Sequence, residues 1–355
     1  MKQMILKGGS SEVRIALILT GGTICSRADS SGTRRSDAGA AVTVLEEYYR
    51  AHHPYSSVEF AVQMPVDKLS EDLTPEDWCA LLRAISAVGT ERPDGIIIAH
   101  GTDTLEQTAA MLSAALFGIS VPVILVSAIA PLDDPASNGH ANFEAAVRLI
   151  CRHLEPGVWA VYENSDGEMY LHRGFELESC RHDSLSFFSS GMQSVDRVLD
   201  APKGTGKKEA RIDLRALAAQ TERMPEVLLL RPYNGLRYDR IDLSGLSAIV
   251  HGTYHSETAN ASLYSPFGMQ SLLLRCREAD VPCFLAPCRM VKQSYGSGFD
   301  LVQAGAIPLE HMSLHFAYGA VWAASLWRIQ GGEALTSRVR QLRQSLESQC
   351  FRCCI

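Results

Sequence analysis

From Val13 to Glu163, short β-branched runs alternate with helix-length amphipathic stretches, and this alternation constrains the chain more than any other feature. Strands that are apolar almost throughout belong between two layers of helices, so the pattern predicts a parallel sheet covered on both faces. The strands expected are 13–19, 58–63, 95–100, 121–127 and 158–163, with helices near 41–52, 75–89, 103–117 and 139–153. Thr74-Pro75-Glu76-Asp77 marks the start of the second helix, with Thr74 as N-cap and Pro75 at the first helical position.

Residues from about 190 to 224 are richer in Gly, Ser, Lys and Arg and carry no sustained period, so an interdomain linker is expected there. A second α/β pattern follows, with strands at 227–232, 247–252 and 282–287 and helices near 264–279 and 312–328. The expected fold is α/β: a large N-terminal parallel-sheet domain (1–190), a linker (191–224) and a smaller C-terminal α/β domain (225–355).

A formal net charge of −7 argues against a nucleic-acid partner, because no basic face able to neutralise several phosphates is implied. The basic cluster Lys203, Lys207 and Lys208 reads as solvated linker. The opening MKQMILKGGSSEVRIALIL is interrupted by Lys7 and a Gly-Gly-Ser turn, so neither a signal peptide nor a membrane span fits, and a cytoplasmic location is expected. The ten cysteines are scattered and read as reduced thiols. Cys283 and Cys288 form a spaced pair, but Cys353-Cys354 is a poor second half and no suitably spaced histidines accompany them, so no metal is expected. Arg352 stands where a prenyl anchor needs a cysteine.

Two segments carry chemistry. Thr20-Gly21-Gly22-Thr23 follows the first strand, at the carboxyl end of a parallel sheet where open α/β folds place their ligands. Its glycines allow a sharp turn and close approach to a ligand, or simply a tight strand-to-helix connection. His100-Gly101-Thr102-Asp103-Thr104 also follows a buried strand, and Asp103 either caps the next helix or faces the crevice. Two such strand ends side by side bring two hydroxyls and a carboxylate together. A hydroxyl nucleophile needs a base and an oxyanion site, which such a cluster begins to supply.

TGGTI followed about eighty residues later by HGTDT resembles the bacterial L-asparaginase/glutaminase family. The resemblance continues in SEDLTPEDW (70–78), in 124–147 and in 295–308, and LTPEDW is closer to the cytoplasmic type than to the periplasmic type. It implies a threonine nucleophile, Thr23, that attacks a side-chain amide, forms an acyl-enzyme and releases ammonia. Thr102 and Asp103 match the second threonine and the aspartate of the family's Thr-Lys-Asp triad. Ser70 and Asp103 would hold the α-groups of an amino-acid substrate, Glu71 lies beside them, and the Ala128 carbonyl would contact the amide. The resemblance also implies a homodimer or homotetramer, with His255, Ser256 or Glu257 reaching a neighbour's site. It implies a small-molecule amide substrate, no cofactor, no nucleic acid and no membrane.

The pattern breaks in three places. Ser179 stands where the family has its catalytic lysine, and no lysine occurs from 69 to 202. Arg181 cannot serve as a base, while His182 can titrate. Thr33 stands where the family has a mobile-loop tyrosine. Glu71 adds a charge beside the α-groups, and Asn138 replaces an acidic residue. Cys25 is a fallback nucleophile. The leading expectation is an asparaginase-type amidohydrolase acting on asparagine or a derivatised amide. The alternatives are a catalytically impaired ligand-binding protein and an acyl transferase on the same scaffold.

Overall fold

The computed structural model describes residues 13–28, 34–53, 57–201, 211–288, 295–327, 329 and 332–350. Thr33, the three linker lysines, Arg352, Cys353 and Cys354 lie outside them. The chain opens with β1 (Val13–Leu19), a short hairpin of β2 (Ser26–Ala28) and β3 (Arg34–Ser36), α1 (Ala38–His52) and β4 (Val58–Gln63). It continues through α2 (Pro75–Gly89), β5 (Gly95–Ala99), α3 (Leu105–Ala115), β6 (Pro122–Val126), α4 (Gly139–Cys151) and β7 (Gly157–Glu163). Two strands not expected from sequence, β8 (Met169–Arg173) and β9 (Gln193–Ser194), complete a seven-stranded sheet of order β4-β1-β5-β6-β7-β8-β9. The strands from β4 to β7 run parallel, and β8 and β9 are antiparallel.

Alternation along the central strands assigns each side chain to a layer. Ile15, Leu17, Ile97 and Val126 enter a core with α1 and α4, while Ile18, Ile96, Ile98 and Leu125 enter the opposite core with α2 and α3. Edge strand β4 instead alternates half-buried and exposed residues, with Glu59 and Gln63 outward. Helix α2 starts as its sequence indicates: the Thr74 N–H and hydroxyl both donate to the Asp77 carboxylate, at 2.8 and 3.0 Å, with Pro75 in the first turn.

The stretch read as linker holds regular structure at both ends. α5 (Val195–Asp200) buries Val195 and Leu199 in the core beside α4, and α6 (Leu214–Gln220) packs Leu217 against the α2 side. The smaller domain is a parallel sheet of order β10-β11-β12-β13: β10 (Val227–Leu230), β11 (Ala248–Gly252), β12 (Cys283–Cys288) and β13 (Ile307–Glu310). The helix expected from 264 is shorter, α7 (Met269–Glu278), because Pro266 and Gly268 form the turn before it; a Cβ on Gly268 would strike the Ser262 carbonyl. Sequence patterning also missed α8 (Gly296–Gln303) and α10 (Gly332–Cys350). α9 (Leu314–Leu326) is apolar on every side and sits in a core shared by both sheets. Among the described residues no helix is long and apolar enough to cross a membrane.

Candidate active site

In the large sheet β1 lies between β4 and β5, so successive connections leave it in opposite directions. That makes the carboxyl ends of β1 and β5 the topological switch point, where parallel sheets open a crevice. Three segments meet there. The turn after β1 is pinned by the Thr20 N–H and hydroxyl, each donating to the Ala99 carbonyl at 3.0 Å. The Gly22 N–H donates to the Lys68 carbonyl at 2.8 Å, which ties this turn to the segment after β4. Ser70, buried at the head of a single 3-10 turn (Ser70–Asp72), accepts from the Asp103 N–H at 3.2 Å, and its carbonyl accepts from the Thr104 hydroxyl at 2.9 Å.

The glycines are there for contact. Gly22 has φ +77°, and a Cβ on it would lie 2.3 Å from the Gly101 backbone; one on Gly101 would lie 2.4 Å from the Ser70 hydroxyl. Gly22→Ala is therefore expected to lower stability by about 1–3 kcal/mol, from the left-handed φ and the forced separation of the two turns. Thermal unfolding checks this, and an unchanged midpoint would contradict the packing described.

Thr23 is half-buried at the start of a 3-10 turn, Thr23–Cys25. Thr102 is half-buried and Asp103 exposed. Asp103 does not cap α3: the N-cap position is Thr104, so the Asp103 carboxylate is left for the crevice. Glu71 is exposed beside the buried Ser70. Ala128 is fully buried at the end of β6, next to β5. Its loop is held by Asn138, which accepts from the Ile129 N–H and donates to the Glu163 carbonyl, both at 2.9 Å. Asn138 is thus a strut of the crevice wall. His255, Ser256 and Glu257 lie in the loop after β11.

His100, between the two turns, is fully buried with Nδ1 2.8 Å from the Gly101 carbonyl oxygen, and burial pushes it down to about 4. Its neutral form stabilises the fold fully above the ordinary value of 6.5, and this contribution is withdrawn as pH falls from 6.5 towards 4. Up to about 1.4 kcal/mol per pH unit is lost from this imidazole in that window. The unfolding midpoint should therefore be lower near pH 5 than near pH 7.5, and a higher one would reverse the assignment.

Cys25 fails as a fallback nucleophile. It is buried, and desolvation pushes its thiol up to about 12, so no thiolate forms near neutrality. Lys68, adjacent to the Gly21-Gly22 turn through its backbone, has its ammonium 2.8 Å from Asp77. Arg181 pairs with Asp183 and His182 is exposed.

Ser179 is placed differently from a plain surface loop residue. Its hydroxyl lies 3.0 Å from Glu106 Oε1 and 3.2 Å from His315 Nε2, and Arg231 Nη2 lies 3.1 Å from the same imidazole nitrogen. Burial raises the Glu106 carboxyl, and burial together with the Arg231 charge holds His315 down at about 4. None of these three partners stood out in the sequence. The available signal was a lone histidine in the otherwise apolar run of α9 and a glutamate directly after HGTDTL. Among the described residues no group of three His, Cys, Asp or Glu could hold a metal ion.

A parallel α/β sheet with glycine-threonine turns packed together at its switch point defines the class of protein. Residues 14–203 match the family model described as Asparaginase, N-terminal, and the chain belongs to that family. It is 29% identical over 333 residues to the D-type glutamyl-tRNA(Gln) amidotransferase subunit of Aeropyrum pernix, covering 87% of this chain and 73% of that protein. It is 26% identical over 328 residues to the protein of that name from Thermococcus kodakarensis, covering 86% and 70%. The thermostable L-asparaginase from Thermococcus kodakarensis has the same fold, with TM-score 0.69 at 19% identity over 92% of this chain and 97% of that one. L-asparaginase I from Vibrio cholerae superposes with TM-score 0.66 at 22% identity over 93% and 97%.

Proposed function

We propose that the protein is an asparaginase-type amidohydrolase in which Thr23 attacks a side-chain amide and releases ammonia from an acyl-enzyme. The observation that carries this reading is the contact of Gly22 with Gly101 and Ser70, which packs the Thr23 turn against Thr102 and Asp103 at the sheet's switch point. Ser70, Asp103 and Glu71 are read as the recognition set for the α-groups of asparagine or a related amide, and the Ala128 carbonyl as a contact to the amide. Assembly as a homodimer or homotetramer in the cytoplasm, with the 253–258 loop meeting a neighbour, is part of the same reading.

The test is a mass-spectrometric time course over a panel of amides, with Thr23→Ala as control and the acyl-enzyme sought on the Thr23 peptide. Ligand-dependent thermal stabilisation without product would instead favour a binding protein, the reading that the serine at position 179 supports. The relatives' name, which makes them part of an amidotransferase, supports a further variant in which the released nitrogen is handed on; ammonia formed only when a partner protein is added would favour it.

Glu71 bears on specificity. In this reading its carboxylate repels a free α-carboxylate, so Glu71→Gln should tighten asparagine binding, by less than about tenfold because the group is exposed and screened. Calorimetric affinities decide; weaker binding in the variant would mean that Glu71 pairs with the substrate ammonium.

A further inference from the structure

Glu106, Ser179, Arg231 and His315 come from four distant parts of the chain: the first turn of α3, the loop after β8, the residue following β10 and the first turn of α9. They converge where the two sheets share a core. Ser179 is exposed, yet its hydroxyl reaches two acceptors that are not: Glu106 is 2% and His315 8% exposed. A serine hydroxyl has one proton and two lone pairs, so with its proton given to either inward acceptor, oxygen lone pairs remain to take a proton from outside.

The inward pair has capacity to spare. Glu106 Oε2 and His315 Nδ1 are buried without a hydrogen-bond partner among the described residues, and His315 Nδ1 stands 3.7 Å from Glu106 Oε1. Buried polar atoms left unsatisfied in this way mark functional sites more often than structural ones. The cluster also adjoins the crevice. Leu105 alone separates Glu106 from Thr102-Asp103-Thr104, and Cys180, next to Ser179, feels the Asp103 and Glu106 carboxylates together, which with burial push its thiol up to about 11.

We propose that Ser179 is a proton conduit from the threonine hydroxyls of the crevice to the buried Glu106–His315 pair, taking over the work of an amine base. The inference rests on the amidohydrolase reading of the same site. As Thr23 Oγ bonds to the amide carbon, its proton moves through the Thr102 hydroxyl to Ser179 Oγ, and the Ser179 proton passes to Glu106 Oε1. When the carbon–nitrogen bond breaks, a proton returns by the same route to the departing nitrogen, which leaves as ammonia. Water then attacks the acyl-enzyme with the same relay, and Glu106 ends as it began, ionised. His315 and Arg231 are positioning residues: the guanidinium donates to Nε2, keeps the imidazole neutral and supplies the positive charge that a buried carboxylate needs.

The experiment measures ammonia release against pH for wild type, Ser179→Ala, Ser179→Lys, Glu106→Gln and Thr23→Ala, with amide binding followed by thermal shift. Ser179 is exposed, so both of its variants should fold even where Glu106→Gln does not. The conduit predicts that Ser179→Ala lowers kcat by roughly 100- to 10,000-fold with KM within about threefold, the effect of losing general acid–base assistance. Ser179→Lys should keep more activity than Ser179→Ala. The groups facing Glu106 are Arg231, His315, Ser179 and Cys180, with Asp103 beyond them, and only the carboxylate must be ionised for the relay. Wild-type kcat should therefore fall on the acid side at a pH above the ordinary carboxylate range, and this limb should move in Ser179→Lys; a purely structural serine would leave it in place. Wild-type kcat in Ser179→Ala, with Thr23→Ala inactive, overturns the conduit and leaves the amidohydrolase reading standing. No ammonia from wild type, or equal ammonia from Thr23→Ala, overturns both.

Discussion

Thr23→Ala is expected to lower ammonia release at least about a thousandfold while leaving the unfolding midpoint within a few degrees of wild type. The two halves of this expectation have different causes. The activity loss follows because no other nucleophile is available at the crevice: the Cys25 thiol is buried and protonated. Removing a nucleophile typically costs several orders of magnitude in kcat, and the residual rate reflects binding and oxyanion contacts alone. The small stability change follows because Thr23 opens a short 3-10 turn and is only half-buried, so its side chain contributes little core volume. The informative control is substrate binding. Thermal stabilisation by the amide should survive in Thr23→Ala, since Ser70 and the Asp103 backbone remain in place. Undiminished turnover in a folded Thr23→Ala protein would remove Thr23 from the mechanism.

The crevice was legible in the sequence where a buried strand ends in glycine and threonine. Leu-Thr-Gly-Gly-Thr and Ala-His-Gly-Thr-Asp each combine an apolar run with residues that have no packing reason to be there, and their strands are neighbours. Gly22 and Gly101 read as turn residues; only the structure shows that each is a glycine because the other turn touches it. β8 and β9 escaped because a short antiparallel addition to a parallel sheet has no apolar run of its own: Met169 and Tyr170 are only half-buried. The Ser179 cluster escaped for a different reason. Its members are far apart in sequence, and nothing local in a lone histidine of an apolar helix, or in an arginine following four aliphatic residues, says that the two will meet. Tertiary packing alone creates that information, through the approach of α9 to α3.

That approach underlies the second large effect. Along α9, His315, Gly319 and Trp322 are spaced four and three residues apart and so share one face of the helix. His315 faces Glu106, and a Cβ on Gly319 would lie 2.6 Å from the Met111 backbone of α3. Trp322 packs edge-to-face on Trp78 of α2, with ring centroids 5.2 Å apart and planes at 82°. Trp78 is in turn fixed by its indole N–H donating to Thr108 at 3.1 Å. Trp322 is fully buried, so Trp322→Ala leaves a cavity that the rigid helices around it cannot close, at a cost of about 3–5 kcal/mol. A domain of ordinary stability has only about 5–15 kcal/mol in total. Since Ala248, Val250 and Phe284 of the smaller sheet belong to the same core as Ile96 and Ile98 of the larger one, the loss should be felt by both. Chemical denaturation of Trp322→Ala is therefore expected to show one transition, moved to markedly lower denaturant, with Trp322→Phe in between. Two separated transitions would mean that the sheets unfold independently, and an unmoved midpoint would mean that the α3–α9 seam contributes little to holding Glu106 and His315 together.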